Sequence, residues 1–315
     1  MLSIGTWWLW TFFIVLILIV LTIDILLLAK RKKEPTLKES CIWVAIWVTL
    51  ALLFNAFLWL YLSYTYSSHI AEQKALEFFA AYLIEESLSM DNIFVFIMIF
   101  KYFSIPLQYQ RRLLLFGVLG AIFMRILLIV FGIWLIHRFH WILYLFGILL
   151  IYSATKFLTL FNDEQFVANN YVLKTLNKFF PISHKISDDH FIIKKNNRYY
   201  LTPLFVALIF IEVSDLIFAI DSIPAVLGIT QDPFIACSSN AFAILGLRSM
   251  YSILAHIENK FRYLNYGLAL ILGFIGIKML LHDLVDIPIL ITLLIIILAI
   301  SCTMIMSKLW RNKKD

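Results

Sequence analysis

Nine long apolar stretches constrain the fold of this chain more than any other feature of its sequence. A helix needs about 20 apolar residues to cross the hydrocarbon core of a bilayer. Of the 315 residues, 62% are hydrophobic and 15% are charged, which excludes an ordinary soluble domain. We therefore predict an all-α polytopic membrane protein with about nine transmembrane helices and no sizeable extramembrane domain. The predicted spans are 6–29, 41–62, 76–100, 113–136, 141–158, 201–227, 234–255, 266–281 and 288–307.

The basic residues predict how these spans are oriented. One set of alternate loops holds 20 of the 26 Lys and Arg residues, whereas the opposite loops hold only Lys74 and Arg138. Because cytoplasmic loops carry the excess of Lys and Arg, we expect the N-terminus outside and the C-terminus in the cytoplasm. The same distribution accounts for the net charge of +6 without a nucleic-acid partner. The partner that it predicts is the lipid bilayer.

The predicted spans divide the chain into five parts. Only the connection between the fifth and sixth spans is long, and it lacks a sustained apolar period, as expected of a cytoplasmic linker. The parts are two N-terminal helices with a basic cytoplasmic loop (1–75), a first three-helix repeat (76–158), the linker (159–200), a second three-helix repeat (201–281) and a last helix with a basic cytoplasmic tail (282–315).

Two of the predicted spans hold most of the acidic residues inside the membrane. A carboxylate near the bilayer centre costs at least about 2.5 kcal/mol, so such residues indicate function. Placing Asp91-Asn92-Ile93 over Asp221-Ser222-Ile223 brings Glu85 onto Asp215, which makes the acidic cluster an internal repeat. The loop charges orient these two spans antiparallel, as in transporters with inverted repeats and a midplane site.

Helical geometry predicts which of these side chains can meet. At about 100° per residue, Glu85, Ser89 and Asn92 share one face of their helix, and Glu212, Asp215 and Ser222 share one face of theirs. We expect these two polar faces to lie opposite each other. Asp91 and Asp221 point about 120° away from Glu85 and Asp215 in a regular helix. Since Pro224 disfavours helical geometry before it, we predict a bend or unwinding after Asp221 that frees carbonyl groups for a cation.

The residue types predict a hard divalent cation at this site. Carboxylate, amide and hydroxyl oxygens suit Mn²⁺, Mg²⁺ or Ca²⁺, whereas all seven histidines fall in predicted loops or at helix ends, away from the site. The alternative is that the acids are protonated or paired with Arg125, Arg248 and Lys278, which would leave acids in surplus. Asn240, in the middle of the seventh span, is either a polar contact between helices or a ligand. No bound cofactor is required.

Three motifs resemble the TerC family, and among its members the Alx-like proteins. They are the segment from Glu85 to Phe96, the segment from Glu212 to Ala225, and Ser239-Asn-Ala-Phe-Ala-Ile-Leu-Gly-Leu-Arg-Ser-Met-Tyr. The resemblance implies a polytopic inner-membrane protein related in architecture to LysE-type exporters and associated with manganese efflux and with tellurite or alkaline-pH resistance. Asn240 and Arg248 belong to the third motif. The cation-handling residues that it implies are Glu86, Asp91, Asn92, Glu212, Asp215, Asp221 and Ser222. It does not choose between Glu85 and Glu86, and the repeat alignment favours Glu85, so both stay candidates.

Three functions follow from these observations. The first is a transporter, not an enzyme, that exports a divalent cation such as Mn²⁺ in exchange for protons. The second is an intramembrane diaspartyl hydrolase, although the chain lacks Gly-x-Gly-Asp, HExxH and Gly-x-Ser-x-Gly elements. The third is a membrane partner that delivers metal to other proteins through the linker 159–200. A redox role finds no CxxC, flavin or haem motif. Metal selectivity, the direction of transport and the oligomeric state stay open at this point.

Overall fold

The computed structural model describes residues 3–30, 36–159, 190–195, 198–257, 264–285 and 287–311. These residues form nine helices and one two-stranded antiparallel hairpin, which confirms the predicted all-α fold. Each predicted span coincides with one helix. The elements are α1 (Trp7–Lys30), α2 (Leu37–Thr65), α3 (Ser68–Tyr102), α4 (Leu107–Arg138), α5 (Ile142–Thr159), β1 (Ile192–Lys195), β2 (Arg198–Leu201), α6 (Pro203–Leu227), α7 (Pro233–Ile257), α8 (Leu264–Leu280) and α9 (Ile289–Arg311).

Helix length and surface both suit a bilayer. By length and composition, four of the described helices can cross a membrane: α1, α2, α4 and α6. Shorter apolar helical segments lie in α5, α8 and α9. Large apolar side chains stay exposed on the outside of the bundle, for example Trp7 at 82% and Phe123 at 65%. A surface with many side chains of this kind is more stable against lipid than against water.

The packing of the helices follows the predicted repeat. Helix α3 contacts α7, and α6 contacts α4; in addition, α3 contacts α6, α4 contacts α7, and α5 contacts α8. Exchanging α3, α4 and α5 for α6, α7 and α8 leaves this set of contacts unchanged. Helix α2 packs against α3 and α7, and α9 packs against α3 and α8. The core of the molecule is therefore a six-helix arrangement in which α3 and α6, the two acidic helices, are neighbours.

Helices α5 and α8 contact each other at two glycines, Gly147 and Gly276. A Cβ atom on Gly147 would lie 2.9 Å from the carbonyl oxygen of Gly276, and one on Gly276 would lie 2.8 Å from the carbonyl oxygen of Gly147. The two backbones therefore touch directly, in the way that small residues allow in membrane helices.

Alanine at Gly276 should test this crossing. The added methyl group meets backbone that cannot move aside, so we expect the free energy of unfolding to fall by about 1–3 kcal/mol, as for overpacked sites. Gly273→Ala is the matched control, because its Cβ would lie 3.6 Å from the Ala154 Cβ, an ordinary contact. Thermal unfolding in detergent measures both variants. Equal melting temperatures for the two would contradict the prediction.

The start of the described chain is tied to the connection between α6 and α7. The Asp232 carboxylate accepts hydrogen bonds from the Ser3 hydroxyl at 3.0 Å, the Ile4 amide at 2.8 Å and the Phe234 amide at 2.9 Å. The last of these bonds caps the N-terminus of α7. In the same connection, the Thr230 hydroxyl donates to Glu77 of α3 at 2.7 Å. These side chains fix the connection to α3 and to the segment before α1.

Two sequence predictions need correction, and one lies outside the described residues. Helix α6 does not unwind after Asp221: it continues through Pro224 to Leu227. Residues 223–227 are all buried, and their packing outweighs the hydrogen bond that Pro224 cannot donate. The linker 159–200 also contains strand structure that was not predicted, since Ile192 pairs with Leu201 and Ile193 with Tyr200. Residues 160–189 of that linker lie outside the described part of the chain.

Candidate cation site

The centre of the candidate site is an ion cluster formed by three helices. Arg125 of α4 is 1% exposed. Its Nη2 lies 2.7 Å from Asp215 Oδ1 and its Nε lies 3.0 Å from Asp215 Oδ2, so the guanidinium binds this α6 carboxylate with two hydrogen bonds. Nη1 of Arg125 forms an ion pair with Glu85 of α3. A buried arginine held in this way neutralises carboxylates that would otherwise be costly among apolar helices.

The polar faces of α3 and α6 lie opposite each other, as the helical spacing predicts. Asn92 Nδ2 donates to Asp215 Oδ1 at 3.1 Å, which joins α3 to α6 directly. On α3, Ser89 Oγ donates to Glu85 Oε1 at 3.4 Å. Glu85, Ser89, Asn92 and Asp215 are all buried. Glu85 and Asp215, which the repeat aligns in sequence, also lie close together in the structure, because both carboxylates bind Arg125.

A small cavity lies beside this cluster. It has a volume of about 10 Å³ and is lined by Leu88, Asn92, Arg125, Phe218, Asp221 and Ser222. This is about the space that one water molecule requires. The Asp221 carboxylate at its edge accepts a hydrogen bond of 2.6 Å from Ser153 of α5. Asp221 therefore points toward α5 while Asp215 points toward α4, in agreement with the predicted 120° between them.

Two further glutamates lie against glycines of the opposite repeat. The Glu212 carboxylate on α6 occupies the space that a side chain at Gly120 on α4 would take, since a Cβ there would lie 2.5 Å from Glu212 Cδ. Likewise, a Cβ at Gly246 on α7 would lie 3.6 Å from Oε1 of Glu86 on α3. Both the glutamates and the glycines are 126 residues apart in the sequence. This separation is four residues shorter than the 130 that relate Asp91 to Asp221, so the two pairs are not in the register of the repeat, but each repeat has one glutamate beside a glycine of the other.

Several buried oxygens have no hydrogen-bond partner in the described part of the chain. They include Glu85 Oε2, Glu86 Oε2, Asn92 Oδ1 and Ser222 Oγ. The Nδ2 atom of Asn240 is likewise unpartnered there. Groups of this kind are rare in folded proteins, because each costs free energy unless a ligand or water binds it. Within the described residues, however, no three His, Cys, Asp or Glu side chains converge as a metal-binding group.

The side chain of Asp91 lies outside the described part of the structure. Glu85 and Glu86, which the sequence leaves as alternatives, point to different neighbours. Glu85 binds Arg125, whereas Glu86 accepts a hydrogen bond from Tyr82 and lies beside Gly246. Glu85, Asn92, Asp215, Asp221 and Ser222 thus surround one cluster and its cavity, while Glu86 and Glu212 lie in two separate positions.

Two other basic residues of the spans, Arg248 and Lys278, bind elsewhere. Arg248 of α7 pairs with Asp24 of α1, which confirms that it is a counter-ion. Lys278 of α8 donates to Thr292 of α9 at 3.1 Å. Beyond the end of α8, hydrogen bonds from Tyr144 and then from His282 lower the pKa of Asp283 below its ordinary value. Of these groups, Arg125 is the one that contacts the repeated acids.

The sequence did not identify four residues that shape the site. Ser153 binds Asp221, Tyr82 binds Glu86, and Gly120 and Gly246 make room for the two glutamates. In the sequence, Gly120 and Gly246 carry no signal beyond their small size, which suits close helix packing. A hydroxyl such as that of Ser153 is common in membrane helices, where it usually bonds to the backbone of its own helix, so sequence alone does not distinguish it.

Comparison with known proteins decides the family. Residues 70–315 match the family described as "Integral membrane protein TerC family". The chain belongs to the TerC family. It is 45% identical over 313 residues to the Escherichia coli (strain K12) protein named "Putative membrane-bound redox modulator Alx", and the match covers 99% of this chain and 97% of that protein. A Rickettsia felis protein named "Uncharacterized membrane protein" is 38% identical over 306 residues, which cover 97% of this chain and 99% of that protein. No solved structure matches the chain. This TerC chain is thus an integral membrane protein.

Proposed function

We propose that this TerC protein exports a divalent cation, with Mn²⁺ as the first candidate, in exchange for protons across the inner membrane. The observation that carries the proposal is the meeting of two repeated acidic helices around buried oxygens without partners. Asn92 Oδ1 and Ser222 Oγ are such atoms, and both residues line the cavity between α3 and α6. We further propose that the N-terminus lies outside and the C-terminus in the cytoplasm.

The ligand chemistry favours a hard cation. Carboxylate, amide and hydroxyl oxygens supply the candidate site, and such ligands bind Mn²⁺, Mg²⁺ or Ca²⁺ better than copper or zinc. Arg125 supplies one positive charge against the carboxylates of Glu85 and Asp215. Asp221 adds an acidic group at the edge of the cavity, and Glu86 and Glu212 add two more on the same two helices. A divalent cation or protons would balance this surplus, which is the reason to expect exchange between the two.

The geometry disfavours the hydrolase alternative. A diaspartyl enzyme needs two aspartates that share one water molecule between them. Here Asp215 binds Arg125 of α4, whereas Asp221 binds Ser153 of α5. These two aspartates therefore point to different helices.

Mn²⁺ flux in vesicles reconstituted with the purified protein tests the proposal. For an exporter, we expect inside-out vesicles to take up Mn²⁺. Other divalent ions should compete with Mn²⁺ in the order of their affinity for the site. If protons are exchanged, an acidic vesicle interior should drive the uptake. Asp91→Asn and Asp221→Asn should each reduce the flux to below about a tenth, because a neutral amide binds a divalent ion far less well. If both variants keep wild-type flux, the proposal is wrong.

Two control proteins separate the competing functions. The name of the E. coli relative suggests a redox role, which would depend on the thiols Cys41, Cys237 and Cys302. Serine at all three positions should leave Mn²⁺ flux intact if the chain is a transporter. A deletion of residues 160–189 should also retain much of the flux, whereas a protein that delivers metal through this linker would lose its activity in cells.

A further inference from the structure

Arg125 lies between the carboxylates of Glu85 and Asp215, where a bound cation would also have to lie. Its Nε and Nη2 atoms bind both oxygens of Asp215, and its Nη1 atom pairs with Glu85. The guanidinium also lines the cavity with Asn92 and Ser222. Any divalent ion that entered the cavity and reached Asp215 would therefore compete with a positive charge that is part of the protein.

This arrangement has two opposite effects on a transported ion. A positive charge a few ångströms from the ion repels it strongly in surroundings of low polarity. When no ion is bound, however, the same charge prevents Glu85 and Asp215 from being left unpaired among apolar helices. A transporter needs both effects, because an ion must bind firmly enough to enter and loosely enough to leave.

We propose that Arg125 is a resident cation that sets the affinity of the site: it neutralises Glu85 and Asp215 in the empty protein and gives up Asp215 when a divalent ion binds. The inference rests on the proposed function. Arg125 is a positioning and affinity-determining residue, and the ion itself binds to the oxygens. The guanidinium of Arg125 lines the cavity, so an ion in the cavity lies next to the group that it replaces at Asp215.

The decisive measurement is the dissociation constant for Mn²⁺ in purified protein. Arg125→Gln removes the charge but keeps a polar side chain, and we expect it to bind Mn²⁺ at least about tenfold more tightly than the wild type while transporting it more slowly. Arg125→Lys keeps the charge, so its dissociation constant should stay within about threefold of the wild type. Arg248→Gln is the matched control, because its partner is Asp24 and not a residue of the cavity.

A second measurement does not require purified protein and therefore applies even if Arg125→Gln is too unstable to purify. Heating intact membranes and measuring the protein that remains folded gives a melting temperature with and without added Mn²⁺. Since a ligand stabilises the folded state in proportion to its affinity, Mn²⁺ should raise the melting temperature of Arg125→Gln by more than that of the wild type.

The outcomes separate this inference from the proposed function. If the wild type transports Mn²⁺ but Arg125→Gln binds it no more tightly, Arg125 only holds helices together and the inference alone is overturned. The same holds if Arg125→Lys and Arg125→Gln bind Mn²⁺ equally well. If the wild type neither binds nor transports any divalent ion, the proposed function fails and takes the inference with it.

Discussion

Arg125→Met should lower the free energy of unfolding by about 3–5 kcal/mol, the range measured when one member of a buried ion cluster is removed. The methionine has a similar volume, so the loss comes from charge and hydrogen bonding. Without the guanidinium, the carboxylates of Glu85 and Asp215 are buried with no cation beside them. Unfolding of the purified protein in detergent, by heat or denaturant, measures the difference.

Two further proteins identify the cause of this loss. Replacing the whole cluster with apolar residues, as Glu85→Leu, Arg125→Met and Asp215→Leu together, should restore most of the stability and abolish Mn²⁺ flux. Arg248→Met should cost less than Arg125→Met, because the side chains of Arg248 and Asp24 are 16% and 13% exposed, whereas those of Arg125 and Glu85 are 1% and 0% exposed. If the triple variant is as unstable as the single one, the charges are not the reason.

Gly120→Ala should reduce Mn²⁺ transport by about 10- to 100-fold, which is the usual cost of displacing a group that positions a metal ligand. The new methyl group would overlap the Glu212 carboxylate, which must then move away from α4. That carboxylate is the end of a flexible side chain, so the fold should tolerate the change. We therefore expect lower flux with a nearly unchanged melting temperature.

The repeat supplies the matched comparison for this prediction. Gly246→Ala makes the same chemical change beside the other glutamate, but its Cβ would lie 3.6 Å from Glu86, which is an ordinary contact. Gly246→Ala should retain most of the flux. If the two alanine variants transport Mn²⁺ equally well, the position of Glu212 against α4 does not matter for transport.

Much of the fold is predictable from the sequence because lipid imposes one simple requirement, an apolar stretch of sufficient length for each helix. The contact between Asn92 and Asp215 also follows from helical spacing and from the internal repeat. Glu85 and Glu86 could not be distinguished in this way, since neighbours in a helix differ by about 100° and either face could have met α6. Only the packed positions of Arg125 and Gly246 separate their roles.

The two wrong predictions have different causes. Pro224 favours a break in an isolated helix, but buried neighbours at 223–227 hold α6 together. The hairpin at Ile192–Leu201 is too short and too polar to form a long apolar run, which is the signal that identifies the spans. Its available signal is local and weak: two asparagines, Asn196 and Asn197, lie between short runs that contain isoleucine and tyrosine.

The hydrogen bonds of Asp232 have a practical consequence for handling the protein. Residues joined in front of Ser3 would leave the bundle beside this carboxylate, where the Ser3 hydroxyl and the Ile4 amide are bound. An affinity tag placed there would compete for the cap of α7, the helix that carries Asn240 and Gly246. A tag after α9 avoids that contact, so the position of the tag should be settled before any flux value is compared between laboratories.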